Sequence, residues 1–210
     1  MSSLATAQSR NIPRIGLGVL AAWGLAVIVG AESGCFASLY MPLIAAFVAA
    51  GIILPALWYF FSPRLQTYAD TVGHRPIMLF HIWRIPAALL FFWYGAWGEL
   101  PSLFWILAGT GDFIAGSYAA WLAFKPESVR RYLSFHIFGF ADFIVAVGTG
   151  LTYTLVFQDP RMAPIAVLPM ALIPLFGVGI SGASHLVAFD MLRRGSGLAV
   201  SPSKLSAVST

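Results

Sequence analysis

The chain has 210 residues, of which 59% are hydrophobic and 10% charged, and its mean hydropathy is +0.83. Soluble domains carry about 25% charged residues, so this composition excludes a soluble protein and indicates one that is immersed in a lipid bilayer. The net charge of +4 does not indicate nucleic-acid binding, because the basic residues lie between the apolar segments. A single cysteine, Cys35, excludes an internal disulfide and a cysteine-based metal cluster.

Six apolar segments predict six transmembrane helices. Each is near or above the ~20 residues that a helix needs to cross a bilayer. The segments are 15–31, 36–61, 77–98, 100–124, 133–157 and 163–192. The connections are short, so neighbours in sequence are expected to pack as antiparallel neighbours in space. We therefore predict an all-α membrane protein with a cytoplasmic N-terminal tail (1–14), a single six-helix transmembrane domain (15–192) and a disordered cytoplasmic tail (193–210).

The positions of lysine and arginine predict the orientation of these helices. With six spans, one face of the membrane receives ten basic residues: Arg10, Arg14, Arg64, Arg75, Lys125, Arg130, Arg131, Arg193, Arg194 and Lys204. The other face receives only Arg161, together with Glu32, Glu99 and Asp159. Cytoplasmic loops carry the excess of lysine and arginine, so we predict that both termini are cytoplasmic and that the protein resides in a bacterial inner membrane.

The first and sixth segments each allow two interpretations. Basic residues, an apolar run and the small residues of Val29-Gly-Ala31 resemble a signal peptide. The run of about 17 residues exceeds the usual 7–15, so we favour a retained helix; cleavage after Ala31 would leave five spans. The sixth segment contains Pro164, Pro169 and Pro174, which indicate either a bent structural helix or a discontinuous helix lining a cavity, as in transporters.

Ionisable residues inside the apolar segments predict a polar cluster. Each charge at the centre of a spanning helix costs roughly 2.5–3.5 kcal/mol, so Arg84, Asp112 and Asp142 are expected to converge. We predict a direct hydrogen bond between Arg84 and Asp112, with Asp142 as a competing acceptor. From a rise of ~1.5 Å per residue, these groups and three histidines overlap in depth, in the cytoplasmic half of the membrane. The predicted pocket, open to the cytoplasm, comprises Arg84, Asp112, Asp142, His185, His81 and His136.

This cluster has a structural and a functional interpretation. A buried ion pair can simply fix the packing of the helices, and histidines near the interface can reach headgroups or water. Alternatively, the cluster binds a ligand or passes protons. His81 and His136 could also ligate a haem from opposite sides, and with His185 they could hold zinc or copper. No helix carries two histidines at a ligand spacing, so no cofactor is predicted. His74, in the 62–76 loop, is expected to lie outside the pocket and to be insensitive to replacement.

Two segments share the pattern Gly-x-x-Asp-Phe-Ile. One begins at Gly109 and contains Asp112; the other begins at Gly139 and contains Asp142. They lie on adjacent antiparallel helices, so a true repeat would be inverted in the membrane. Six residues in a biased composition are more simply explained by chance.

Several short motifs resemble a widespread family of uncharacterised bacterial six-helix inner-membrane proteins. They are Arg84, Gly98-Glu-Leu-Pro-Ser-Leu-Phe104, Ala108-Gly-Thr-Gly-Asp112 with Gly116, Asp142-Phe-Ile-Val-Ala146, Leu172-Ile-Pro174 and His185-Leu186. The resemblance covers roughly residues 80–192 and implies a shared core of Arg84, Asp112, Asp142 and His185. It implies no activity, cofactor or substrate. His136 departs from the family pattern, which commonly has Asn there, and this disfavours a haem between His81 and His136.

These observations favour transport of a small solute, proton-linked transport or ligand binding. A haem- or metal-binding redox protein or enzyme is one alternative, and an assembly or scaffold subunit of a membrane complex is another. The expected partners are the lipid bilayer, a small-molecule ligand and a further copy or membrane-complex subunit, but no nucleic acid. The sequence does not decide whether the protein is an enzyme.

Overall fold

The computed structural model describes the backbone of residues 2–198 and, except at residue 41, the side chains of residues 14–198. Within this range the chain is helical and contains no strand. The α-helices are α1 (Ser2–Glu32), α2 (Cys35–Ser38), α3 (Met41–Phe61), α4 (Pro63–Val72), α5 (His74–Phe80), α6 (Arg84–Ala96), α7 (Ser102–Leu122), α8 (Val129–Leu151) and α9 (Val178–Arg194). Two 3₁₀ helices (His81–Trp83 and Pro160–Ala166) and two π-helices (Thr152–Val156 and Ile173–Gly177) complete the described chain.

Five helices among the described residues are long and apolar enough to cross a membrane, judged by length and composition. They are Arg14–Glu32, Pro42–Phe61, His74–Ala96, Val129–Val156 and Ile173–Arg194. Large apolar side chains also cover the outside of the bundle; Phe61 is 81% exposed and Phe124 is 87% exposed. These features indicate a membrane protein.

The predicted fourth span, 100–124, forms α7, which is 21 residues long but is not among the five. Asp112 and three glycines lower its hydropathy. This helix packs against α6 on one side and α8 on the other. The count of six spans therefore stays a prediction.

The remaining helices close the bundle around α9. Helix α9 packs against α3 and α8. Helix α1 joins through Trp23, whose ring meets Phe176 edge-on at a centroid distance of 5.3 Å. Half of the buried apolar side chains form one core near the end opposite α4, including Phe91, Phe104 and Met170.

Three of the four segments predicted to share the cytoplasmic face meet at one end of the bundle. They are 62–76, 125–132 and the start of the C-terminal tail. Arg194, at the end of α9, donates hydrogen bonds to Asp70 of α4 at 2.7 and 2.8 Å. The Arg75 guanidinium donates to the carbonyl of Ala123. Arg161 and Asp159 pair with each other at the opposite end.

The structure describes part of each predicted tail, and it differs from the prediction in the C-terminal one, which was expected to be disordered. Helix α1 already begins at Ser2, so residues 2–14 are helical. The C-terminal tail begins in order: the Ser196 hydroxyl donates to Asp70 at 2.7 Å, and the Gly197 carbonyl accepts from the His74 amide. The rest of that predicted tail, 199–210, lies outside the described residues.

The sixth apolar segment is not one continuous helix. It consists of the 3₁₀ helix Pro160–Ala166, turns, the π-helix Ile173–Gly177 and then α9. Proline lacks the N–H that an α-helix needs and its ring crowds the preceding turn, which explains the interruption at Pro164, Pro169 and Pro174. Of the two interpretations offered by the sequence, the discontinuous segment is the one in the structure.

Candidate functional site

Arg84 pairs with two carboxylates at once. Its Nε donates to Asp112 Oδ1 at 2.5 Å, which is the hydrogen bond predicted from the sequence. Its Nη2 donates to Asp142 Oδ2, so Asp142 is a simultaneous acceptor rather than a competing one. Nη1 donates to the Gly139 carbonyl at 3.3 Å. With both carboxylates ionised, the cluster of Arg84, Asp112 and Asp142 has a net charge of −1.

Glycines provide the space for this pairing. A Cβ at Gly111 would collide with the carboxylate of Asp142 across the α7–α8 contact. A Cβ at Gly139 would lie 2.9 Å from His185 Nε2 and 3.3 Å from Arg84 Nη1. His185 and Arg84 therefore approach each other at the space that a side chain at position 139 would occupy.

The structure brings His81, His136 and His185 together in the interior. All three side chains are 0% exposed. The ring centroids of His81 and His185 are 4.2 Å apart, those of His136 and His185 are 5.1 Å apart, and those of His81 and His136 are 6.0 Å apart. Burial contradicts the interpretation in which His81 and His136 reach headgroups or water. We call these three residues the histidine triad.

Ser184 fixes the tautomer of His81. The Ser184 hydroxyl donates to the Ser181 carbonyl at 2.8 Å, so its oxygen accepts at the 3.0 Å contact with His81 Nε2. His81 then carries its proton on Nε2, and its Nδ1 presents a lone pair. That Nδ1 has no hydrogen-bond partner among the described residues.

The other two histidines hydrogen-bond each other and leave their second nitrogens unpaired. His136 Nδ1 and His185 Nδ1 are 2.9 Å apart, so one donates and the other accepts. The Nε2 atoms of both rings are buried without a partner among the described residues. An unsatisfied buried polar group costs about 1–3 kcal/mol, so three such nitrogens in one place represent a substantial cost.

The triad does not fit a haem. A haem held between His81 and His136 would put the porphyrin ring between their imidazoles. His185 lies within 4.2 Å of one ring and 5.1 Å of the other, which leaves no slot for a planar macrocycle. A single metal ion is a better match: one nitrogen from each ring lies within 4.8 Å of the other two.

His74 lies outside the triad but is not an exposed loop residue. It begins α5 and is 1% exposed. Its ring stacks on Tyr132 at 5.2 Å, and its Nε2 contacts the Ser196 carbonyl at 3.0 Å. The expectation that its replacement has no effect was based on an exposed position, and the burial contradicts that basis.

An apolar cavity of about 180 Å³ lies beside the ionic cluster. Arg84 and Asp112 are part of its wall, and apolar side chains from α3, α7, α8 and the discontinuous segment form most of the rest, among them Val48, Phe104, Ala146, Met170 and Pro174. The histidines do not line it. The expected single Arg/Asp/His pocket is therefore two sites, with the triad on one side of Arg84 and the cavity on the other.

The cavity also lies on a different side from the one expected. Its lining includes Ile44, Phe104 and Met162, which are near the end of the bundle that carries Asp159 and Arg161. A second cavity of about 390 Å³, lined by residues including Tyr40 and Asp159, shares Thr154 and Met162 with the first. The two cavities therefore adjoin near this end, which is not the end expected to be cytoplasmic.

The family comparison covers both sites. The family described as "Domain of unknown function (DUF8737)" matches residues 40–193, about three quarters of the chain. No match was found among curated proteins or among solved structures. The matched range contains the ionic cluster, the histidine triad and most of the cavity wall, but not α1. On this match the chain belongs to the DUF8737 family, a family of unknown function.

Proposed function

We propose that the chain is a six-span protein of a bacterial inner membrane, with both termini in the cytoplasm, that binds a small solute in the cavity beside Asp112. The ten-to-one distribution of basic residues supports this orientation. The length of α7 supports its role as a span, since its 21 residues correspond to about 30 Å, which matches the hydrocarbon thickness of a bilayer.

The observation that carries the proposal is the placement of a carboxylate in the wall of an apolar cavity. Asp112 Oδ1 accepts from Arg84, whereas no hydrogen bond to Oδ2 is present among the described residues. Oδ2 is therefore free to accept a hydrogen bond from a bound molecule. A cavity of about 150 Å³ holds benzene, so 180 Å³ suits a slightly larger apolar body with one donor group.

The charge of the cluster determines which donor group is preferred. Arg84 neutralises only one of the two carboxylates that it contacts. A cationic donor such as an ammonium group would neutralise the other, and so would a proton. Solute and proton would then compete for the same carboxylate, which is the basis of proton-linked transport. A carboxylate-bearing solute would be repelled.

Three ligands of one size and different charge test this proposal. Phenethylamine, 2-phenylethanol and phenylacetate are titrated into the purified protein in detergent at neutral pH. We expect the protonated amine to bind most tightly, the alcohol more weakly and the acid least. We expect amine binding to release protons, measured as a dependence of the binding enthalpy on the ionisation enthalpy of the buffer.

Two variants and one control assign the binding to the cavity. Asp112→Asn should weaken amine binding at least tenfold, or about 1.4 kcal/mol, and abolish proton release. Ala146→Leu should weaken the binding of all three ligands by filling the cavity. The control, Asp70→Asn at the far end of the bundle, should leave the affinity for each ligand unchanged. Equal affinity for amine and acid would refute the proposal. Failure of all three ligands to bind would favour the scaffold alternative. Amine uptake into proteoliposomes driven by a pH gradient would distinguish transport from binding.

A further inference from the structure

A cluster of three fully buried histidines is an unusual object inside a bundle of apolar helices. The rings come from the 3₁₀ helix His81–Trp83, from α8 and from α9. Each ring has one nitrogen that is buried and unpaired. Apolar side chains of the same size would fill this space without leaving any nitrogen unsatisfied. The Nδ1 atoms of His136 and His185 face each other at 2.9 Å and share one proton, so a single cation in place of that proton could be bound by both rings.

We propose that the histidine triad is a binding site for a transition-metal ion that prefers imidazole ligands, either zinc or copper. Neutral imidazole nitrogens are common ligands of both metals. Three nitrogens that are all within 4.8 Å of one another lie at most about 2.8 Å from a common centre. A metal–nitrogen bond of ~2.0–2.1 Å therefore requires shifts of less than about 1 Å, which ring rotation can provide.

The surroundings of His81 match those of a metal ligand. Metal-bound histidines generally donate their other N–H to an oxygen, which fixes the ring. His81 does so through Nε2, because Ser184 Oγ accepts that proton. The lone pair of Nδ1, which has no partner among the described residues, is then available to a metal ion. Ser184 is thus a positioning residue for His81.

The Arg84 guanidinium lies close to the triad, since a Cβ at Gly139 would be 2.9 Å from His185 Nε2 and 3.3 Å from Arg84 Nη1. Arg84 is itself paired with Asp112 and Asp142, and these two carboxylates offset the repulsion between the guanidinium and a bound metal ion.

The test loads the purified full-length protein with metal and counts the ions. Protein stripped by a chelator is incubated in detergent with ZnCl₂, with CuSO₄ in the presence or absence of ascorbate, or with MgCl₂, and the metal content is measured by elemental analysis after desalting. We expect one zinc or one copper per chain and no magnesium, with a higher melting temperature for the loaded form. Competition between zinc and copper for the site identifies the preferred metal. Less than stoichiometric binding of both metals would refute the proposal.

Variants assign the ion to the triad. His81→Asn, His136→Asn and His185→Asn should each weaken binding at least about a hundredfold, by loss of one ligand. The matched control is His74→Asn, because His74 is also a buried histidine with an unpaired nitrogen but lies outside the triad. It should retain one metal per chain. Loss of metal from this control but not from the triad variants would overturn the assignment.

A second variant keeps the test valid if the asparagine proteins do not fold. Ser184→Ala keeps all three histidines and removes the acceptor of the His81 proton, together with the hydrogen bond from Ser184 to the Ser181 carbonyl. It should weaken metal binding by about 10–100-fold while the protein remains monodisperse. In addition, Co²⁺ should give intense visible absorption bands of a nitrogen-ligated tetrahedral ion in the wild type and altered bands in Ser184→Ala. Unchanged affinity and unchanged bands would show that the ion does not use His81.

Discussion

Arg84 and Asp112, 28 residues apart in the sequence, are joined by a hydrogen bond of 2.5 Å from Nε to Oδ1, and the same guanidinium also binds Asp142. Because of this double pairing, the three residues contribute unequally to the charge balance of the cluster. Loss of either carboxylate leaves a balanced pair, whereas loss of Arg84 leaves two carboxylates with no cation.

Arg84→Gln is therefore expected to be the most destabilising single change in the cluster. Removing one partner of a buried pair costs about 3–5 kcal/mol, and here the loss falls on two carboxylates. Asp112→Asn should cost less, about 1.5–3 kcal/mol, the value of a hydrogen bond to a charged group, because Asp142 still balances the charge. Denaturation of the purified variants in mixed micelles measures both free energies of unfolding. The opposite order would mean that Arg84 does not balance both aspartates.

Gly111→Ala should destabilise the contact between α7 and α8. The added Cβ would collide with the Asp142 carboxylate, and overpacking of this kind typically costs 1–3 kcal/mol. The control is Gly148→Ala on the exposed side of α8, where a Cβ meets nothing within 4 Å. That change should be neutral or stabilising by up to about 1 kcal/mol, since alanine has the higher helix propensity. Similar melting temperatures for the two variants would contradict the close approach at Gly111.

The pair of Asp70 and Arg194 should give stability that depends on pH. The hydrogen bonds from Arg194 lower the pKa of Asp70 below its ordinary value, which is ~3.9 in unfolded chains. A lowered pKa in the folded state stabilises the protein above pH ~3.9, and this contribution is lost as the pH falls through the folded-state value. Because the pair is partly exposed, Asp70→Asn should cost only about 0.2–1 kcal/mol at pH 7.

That difference between wild type and Asp70→Asn should shrink as the pH falls from 5 to 3. Melting temperatures across this range provide the measurement. A difference that stays constant down to pH 3 would show that the carboxylate charge contributes nothing.

Reporter fusions test the orientation of the spans. Fusions after residues 70, 128 and 200 should be active only with a cytoplasmic reporter, because all three positions lie in segments that carry the basic residues. Fusions after residues 98 and 160 should be active only with a periplasmic reporter. A periplasmic result at residue 128 would mean that α7 does not cross the membrane.

Much of the ionic cluster was predictable from the sequence. Arg84, Asp112 and Asp142 are expensive in a bilayer, and their depths overlap, so convergence was the expected result. The shared Gly-x-x-Asp-Phe-Ile pattern also has a counterpart in the structure, since the aspartates of both segments bind Arg84. What the sequence did not reveal is that one guanidinium would serve both carboxylates.

The histidine triad and the cavity were less accessible to sequence reasoning. Depth along a helix indicates that His81 and His136 lie at one level, but not which way each ring points. The contact of Ser184 with His81 has no signal in the sequence, because 103 residues separate the two. Depth along the helices also does not distinguish the cavity from the triad. Their separation depends on the side of Arg84 against which the discontinuous sixth segment packs.

The π-helix Ile173–Gly177 has a consequence for how α9 tolerates changes in length. A π turn holds an extra residue, and each residue of a helix turns the chain by about 100°. Deleting one residue there would convert the π turn to a regular α turn. The rest of α9 would then rotate by about 100° relative to the helices that it packs against. Ser181, Ser184 and His185 would then face away from His81. The angular phase of α9, and with it the geometry of the triad, is thus set upstream at Pro174 rather than by the residues around His185 themselves.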